Sequence, residues 1–177
     1  MKPSRTRLSL AIISGILPLF FMLALIVPLW IFFTGERYFL STLLHFAEVP
    51  LTDNPAQAPG MARRLLLLAL LYLPAGLFAF AIWQGMKVTR SVRQRSVLSL
   101  SLAHSVRYIA LAMVGMGILL PVCRFLIPLL AWWPQPYYQV VFLLSDGVLL
   151  LTGSLLFVTF HAMLHGIRAE EENKEFI

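Results

Sequence analysis

Two opposite charges set inside hydrophobic stretches are the residues of this chain best suited to chemistry. Arg124 lies eleven residues before Gln135 and Asp146 eleven residues after it. Gln135 is the middle of a turn, Trp132-Trp133-Pro134-Gln135-Pro136-Tyr137-Tyr138, whose prolines cannot continue a helix. Two helices leaving that turn descend together at about 1.5 Å per residue, so both charges reach a similar depth, roughly 16 Å below the apex. Either charge alone in hydrocarbon is costly, whereas a pair is tolerated. Two roles are open to it. As a structural lock, it sets the register of the hairpin. As a functional group, it lines a polar cavity for an ion, a proton or a small ligand, the common use of ionisable residues inside a membrane.

Two glycines extend the pattern. Gly117 is seven residues from Arg124, and Gly153 seven from Asp146, so each shares a helix face with its charge. Both lie eighteen residues from Gln135. Glycines let membrane helices approach closely, and the two faces are expected to form a packing contact at Gly117 and Gly153.

The histidines offer a second chemistry. His161 and His165 stand four apart, hence on one helix face, and His104 is expected on the same side of the membrane. Three such side chains can hold a metal or a haem, although interfacial histidines are also ordinary polar-edge residues. No H-E-x-x-H pattern accompanies them, and Glu170, Glu171 and Glu172 lie beyond the apolar span. His45 is isolated. No nucleophile elbow, oriented triad or glycine-rich phosphate loop is present, so nothing in the motifs points to an enzyme or to a bound cofactor. The single cysteine, Cys123, permits no intrachain disulfide and reads as a small packing residue.

The elements that must position these residues are set by composition. Of 177 residues, 59% are hydrophobic and only 12% charged. A soluble domain carries about 25% charged residues, so lipid is the expected solvent. Four apolar stretches are long enough to cross a bilayer, over 8–33, 65–83, 108–132 and 138–160. Continuous apolar runs fit helices and lack the alternation of a barrel. The fold class expected is all-α, an integral membrane four-helix bundle forming one domain over 1–177. The first run follows a basic start but far exceeds a signal-peptide core, and reads as a retained span.

Orientation follows from the cations. Lys2, Arg5, Arg7, Lys87, Arg90, Arg93, Arg95, Arg107, Arg168 and Lys174 collect on one side, against Arg37, Arg63, Arg64 and Arg124 on the other. The positive-inside rule then places both termini and the middle loop in the cytoplasm. The net charge of +6 is therefore a topology signal, and no nucleic-acid partner is expected. The inner loop over 87–107 has five basic and no acidic residues. Lys87, Arg90, Arg93 and Arg95 are its candidate contacts to anionic phospholipid headgroups, beside a plain anchoring role. The Trp and Tyr residues of the turn suit an interfacial belt. In the outer loop over 34–62, residues 38–46 can form a short helix lying on the membrane, and the Pro-rich half after Pro50 is expected to be irregular. The acidic tail over 166–177 reads as a solvated end that can also meet the basic loop.

The run His165-Gly166-Ile167-Arg168-Ala169-Glu170-Glu171-Glu172-Asn173 resembles the Arg-x-x-Glu-Glu-Asn ending of a family of small bacterial membrane proteins, catalogued as domain of unknown function twenty-nine seventy-five. The segment from Arg90 to Arg107 also resembles that family's inner connection. The chain lacks the family's Asp-Leu-Thr-Val type of terminus. The resemblance implies four spans and a membrane location and transfers no catalytic residue. The functional expectation is a non-enzymatic sensor, regulator or accessory subunit, with a second copy in a homo-oligomer or another membrane protein as the candidate partner. A small transporter or channel-forming subunit is the alternative, and a haem- or metal-binding redox protein a third.

Overall fold

The computed structural model describes residues 5–48, 60–93, 99–131 and 140–175. Five helices account for nearly all of them: α1 (Arg5–Phe33), α2 (Glu36–Phe46), α3 (Met61–Arg93), α4 (Leu100–Ala131) and α5 (Leu144–Glu175). There is no strand among the described residues. Four of the helices, all but α2, are long and apolar enough to cross a membrane. Each spanning helix has leucine, isoleucine, phenylalanine and valine on every side, as lipid-facing helices require.

The long helices lie side by side in the order α1, α3, α4, α5, each touching only the next. Among the described residues α1 and α5 make no contact, so the expected bundle is an open layer and not a closed ring. Helix α4 is its centre, packed on α3 and α5 and also touched by α2. Large side chains on the outer helices, such as Leu19 and Trp30 of α1 and Leu151 and Val158 of α5, are exposed and available to lipid.

Helix ends explain where the spans give way to turns. Gly35 enters α2 at φ +112°, a left-handed value that disfavours any side chain. Glu48 follows α2 at φ 57° and donates its N–H to the His45 carbonyl, closing the helix. The Ser99 hydroxyl accepts the Leu102 N–H at 3.3 Å and so caps α4.

The structure redraws two expected loops. The inner connection read over 87–107 is largely helical, since α3 continues to Arg93 and α4 starts at Leu100. The short helix expected in the outer loop exists as α2, but one face of it is buried in the protein. Phe39, Leu43 and Ala47 join Phe32 of α1, Leu67 of α3 and Ile127 of α4 in a common core. The aromatic turn over 132–138, the Pro-rich segment after Pro50 and Arg95 lie outside the described residues.

Five prolines sit within the long helices, Pro18 and Pro28 in α1, Pro74 in α3, and Pro121 and Pro128 in α4. A helix proline leaves the carbonyl four residues earlier without its donor. For Pro74 that carbonyl belongs to Leu70, and the Cys123 thiol of α4 reaches it at 3.6 Å. Cys123 is therefore more than a filler: it supplies across the α3–α4 interface the donor that Pro74 lacks.

Candidate functional site: the α4–α5 charge pair and its cover

Asp146 sits in the first turn of α5, because that helix begins at Leu144 and residues 140–143 are not helical. This corrects the reading that placed Asp146 inside a helix running from 138. Its Oδ2 accepts two bonds: the Leu143 N–H at 2.9 Å and Arg124 Nη1 at 2.5 Å. The first closes the helix start, a carboxylate three residues into the helix reaching back to the flanking N–H. It also places negative charge where the helix dipole is positive. The second bond ties α5 to α4.

Both side chains are almost wholly buried, Arg124 at 5% and Asp146 at 0% exposure. Above Arg124 lies α2, whose Phe46 ring is 5.8 Å from the guanidinium carbon. A cation over a ring face is favourable, more so when desolvated. One charge pair thus joins three elements: α4 through Arg124, α5 through Asp146 and Leu143, and α2 through Phe46. Arg124 Nε and Asp146 Oδ1 are buried without a hydrogen-bond partner among the described residues.

The glycines set the spacing that lets these groups meet. A Cβ on Gly117 would come within 2.7 Å of Leu150 and 3.0 Å of the Asp146 carbonyl. One on Gly153 would come within 2.9 Å of both the Ala110 carbonyl and the Val114 nitrogen. Both glycines are therefore in the α4–α5 interface, but they do not face each other. Gly117 meets α5 at Asp146 and Leu150, and Gly153 meets α4 at Ala110 and Val114, in each case three to seven residues from the other glycine. The non-helical stretch over 140–143 contributes to this offset. Four residues advancing at up to ~3.3 Å instead of ~1.5 Å account for roughly 7 Å. Arg124 bridges that offset with its long side chain. Helical side chains lean toward their own N-termini, and in antiparallel helices this tilts Arg124 and Asp146 toward each other.

A second arginine ties α3 to the end of α1 and to α2. Arg64 donates from Nη2 to the Phe32 carbonyl at 3.3 Å and lies over the rings of Phe32 and Phe39 at 5.1 and 5.8 Å. Phe32 is in the last turn of α1, where carbonyls lack helical donors and a cation is favoured. Sequence reading counted Arg64 only as a topology charge. It also missed Phe46 and Leu143, and no short-range pattern marks either, since one acts from a separate helix and the other through its backbone.

The histidines do not assemble. Phe160 stands between His104 and His161, with ring centroids 6.3 and 5.2 Å away, and Arg107 lies over it at 5.7 Å. His161 Nδ1 is 2.9 Å from the Phe157 carbonyl of its own helix. His104, His161 and His165 are all exposed, and among the described residues no three His, Cys, Asp or Glu side chains gather as a metal site would require. Lys87 reaches over the Trp83 ring at 5.8 Å, and Arg90 and Arg93 close the last turn of α3 as exposed side chains.

No family model, curated protein or solved structure matches the chain.

Proposed function

We propose that this chain is a multi-pass protein of a bacterial inner membrane, with both termini cytoplasmic, that works through helix packing and carries out no reaction itself. It acts as a sensor, regulator or accessory subunit. The observation that carries this reading is the use of the intramembrane charges. Asp146 Oδ2 is shared between a helix start and Arg124, and α2 covers the pair through Phe46. Groups fixed in this way hold helices together. The open order of the helices supports a partner role, since among the described residues α1 and α5 each pack on one long neighbour, which leaves a flank for a second copy or another membrane protein. The resemblance to the small bacterial four-span family agrees with this location. The basic end of α3 (Lys87, Arg90, Arg93) suits contact with anionic phospholipids.

A second reading, a small transporter or channel-forming subunit, draws on one observation: the unpartnered Arg124 Nε and Asp146 Oδ1, which a small polar occupant could satisfy. Flux through proteoliposomes separates the two. Purified protein in vesicles loaded with proton-, sodium- or potassium-sensitive dyes is expected to leak no faster than empty vesicles. Flux that disappears in Asp146→Asn overturns the packing reading in favour of transport.

A further inference from the structure

Under α2 lies a cavity of about 370 Å³ framed by four helices. Its walls come from Pro28 and Ile31 of α1, Leu43 and Phe46 of α2, Leu71 and Pro74 of α3, and Met116 and Leu120 of α4, with Ala75 at its side. Val27 of α1, Thr42 of α2 and Phe78 of α3, which also line it, are exposed, so the cavity is open to the outside along these three helices. Its α1, α3 and α4 walls all lie within candidate membrane spans, so the surroundings expected at that opening are lipid.

The lining offers a ligand almost no polarity. Thr42 is its one polar side chain, and that hydroxyl donates its only hydrogen to the Tyr38 carbonyl at 2.8 Å, leaving a single acceptor oxygen at the cavity's exposed edge. The carbonyl that Pro74 would leave bare, at Leu70, is taken by Cys123. Water gains nothing in such a space, because it needs two or more polar partners. An ion gains less. An alkyl chain gains dispersion contacts on all sides without losing any hydrogen bond. The volume is within the range of small-molecule sites, which begins at about 300 Å³.

We infer that this cavity is a binding site for one alkyl chain, supplied by a membrane lipid and lying against α1, α3 and α4 beneath α2. The site does not depend on the functional reading above. It does have a consequence for it: Phe46 both walls the cavity and covers Arg124, so an inserted chain bears on the element that seals the charge pair.

Photolabelling tests the site directly. The full chain is placed in nanodiscs of phosphatidylethanolamine and phosphatidylglycerol containing a phospholipid with a diazirine near the end of one acyl chain. A parallel sample carries a free fatty acid with the same group. After irradiation, adducts are mapped by peptide sequencing. Adducts are expected at Leu71, Phe78 and Leu120, in excess over the freely exposed Leu151 and Val158 of α5, which report ordinary lipid contact. Ala75→Phe, which fills the space, is expected to bring the lining down to that reference while leaving α5 labelling unchanged. If this variant does not fold, as loss of α5 labelling or aggregation reveals, Leu120→Trp fills the space from α4. Labelling by either carrier supports the site, and the stronger one identifies its source. Lining residues labelled no more than α5, or labelling that survives both filling substitutions, overturns the inference.

Discussion

Replacing Gly153 by alanine gives a sharp test of the α4–α5 contact, because the added atom meets backbone and not a yielding side chain. Its Cβ would lie 2.9 Å from the Ala110 carbonyl and from the Val114 nitrogen, and 2.7 Å from the Val114 side chain. Helix α4 cannot move two backbone atoms without shifting the whole interface. Overpacking of this kind costs about 1–3 kcal/mol. Against it, alanine is favoured over glycine within a helix by ~1 kcal/mol. The expected net effect is a loss of about 0–2 kcal/mol. Gly147, earlier on the same helix, is the control, since nothing lies within 4 Å of its Cβ position. There the propensity acts alone, and Gly147→Ala is expected to be neutral or stabilising by up to ~1 kcal/mol. Unfolding of both variants in mild detergent titrated with dodecyl sulfate, followed by far-ultraviolet circular dichroism, measures the difference. Equal stability of the two alanine variants would show that α4 and α5 do not approach as described.

Two other outcomes follow from separate parts of the fold. Cys123→Ser keeps a donor for the Leu70 carbonyl, whereas Cys123→Val leaves that buried acceptor bare at a cost of about 1–3 kcal/mol; the same titration should rank valine below serine, and the reverse order refutes the bond. The proposed cytoplasmic placement of both termini predicts that a green fluorescent protein fused at either end fluoresces and alkaline phosphatase there is inactive, while phosphatase inserted in the 49–59 segment is active. Active phosphatase at a terminus would reverse the orientation.

The sequence made the long helices legible because lipid imposes a simple demand: about 20 apolar residues with every backbone group paired internally. It also marked Arg124 and Asp146, since charge is rare within such spans, and Gly117 and Gly153, each seven residues from one of those charges. The register between them was not legible. It depends on whether residues 140–143 are helical, and Val140-Val141-Phe142-Leu143 is equally apolar in either form. Helix α2 was visible as a short amphipathic segment, but its burial was not, because docking rests on Phe32, Leu67 and Ile127 in three other helices. The hydrogen bond from Cys123 to Leu70 escaped for a similar reason: its partners are 53 residues apart. Spacing set His161 and His165 on one helix face and His104 on the same expected side of the membrane, yet it did not reveal that the Phe160 ring packs beside both His104 and His161.

The central claim is that Arg124 and Asp146 hold the helices as one buried unit. A double-mutant cycle measures this most directly, using Arg124→Met, Asp146→Asn and the two combined in the same unfolding titration. Each single change leaves a buried group without its charged partner and is expected to cost about 3 kcal/mol or more. The double variant removes both charges, and the asparagine side chain can still accept the Leu143 N–H. Its loss should therefore fall short of the summed singles by about 2 kcal/mol. Simple additivity, with small losses in both single variants, would mean that each charge faces water on its own and that the pair lines a path instead of latching the fold.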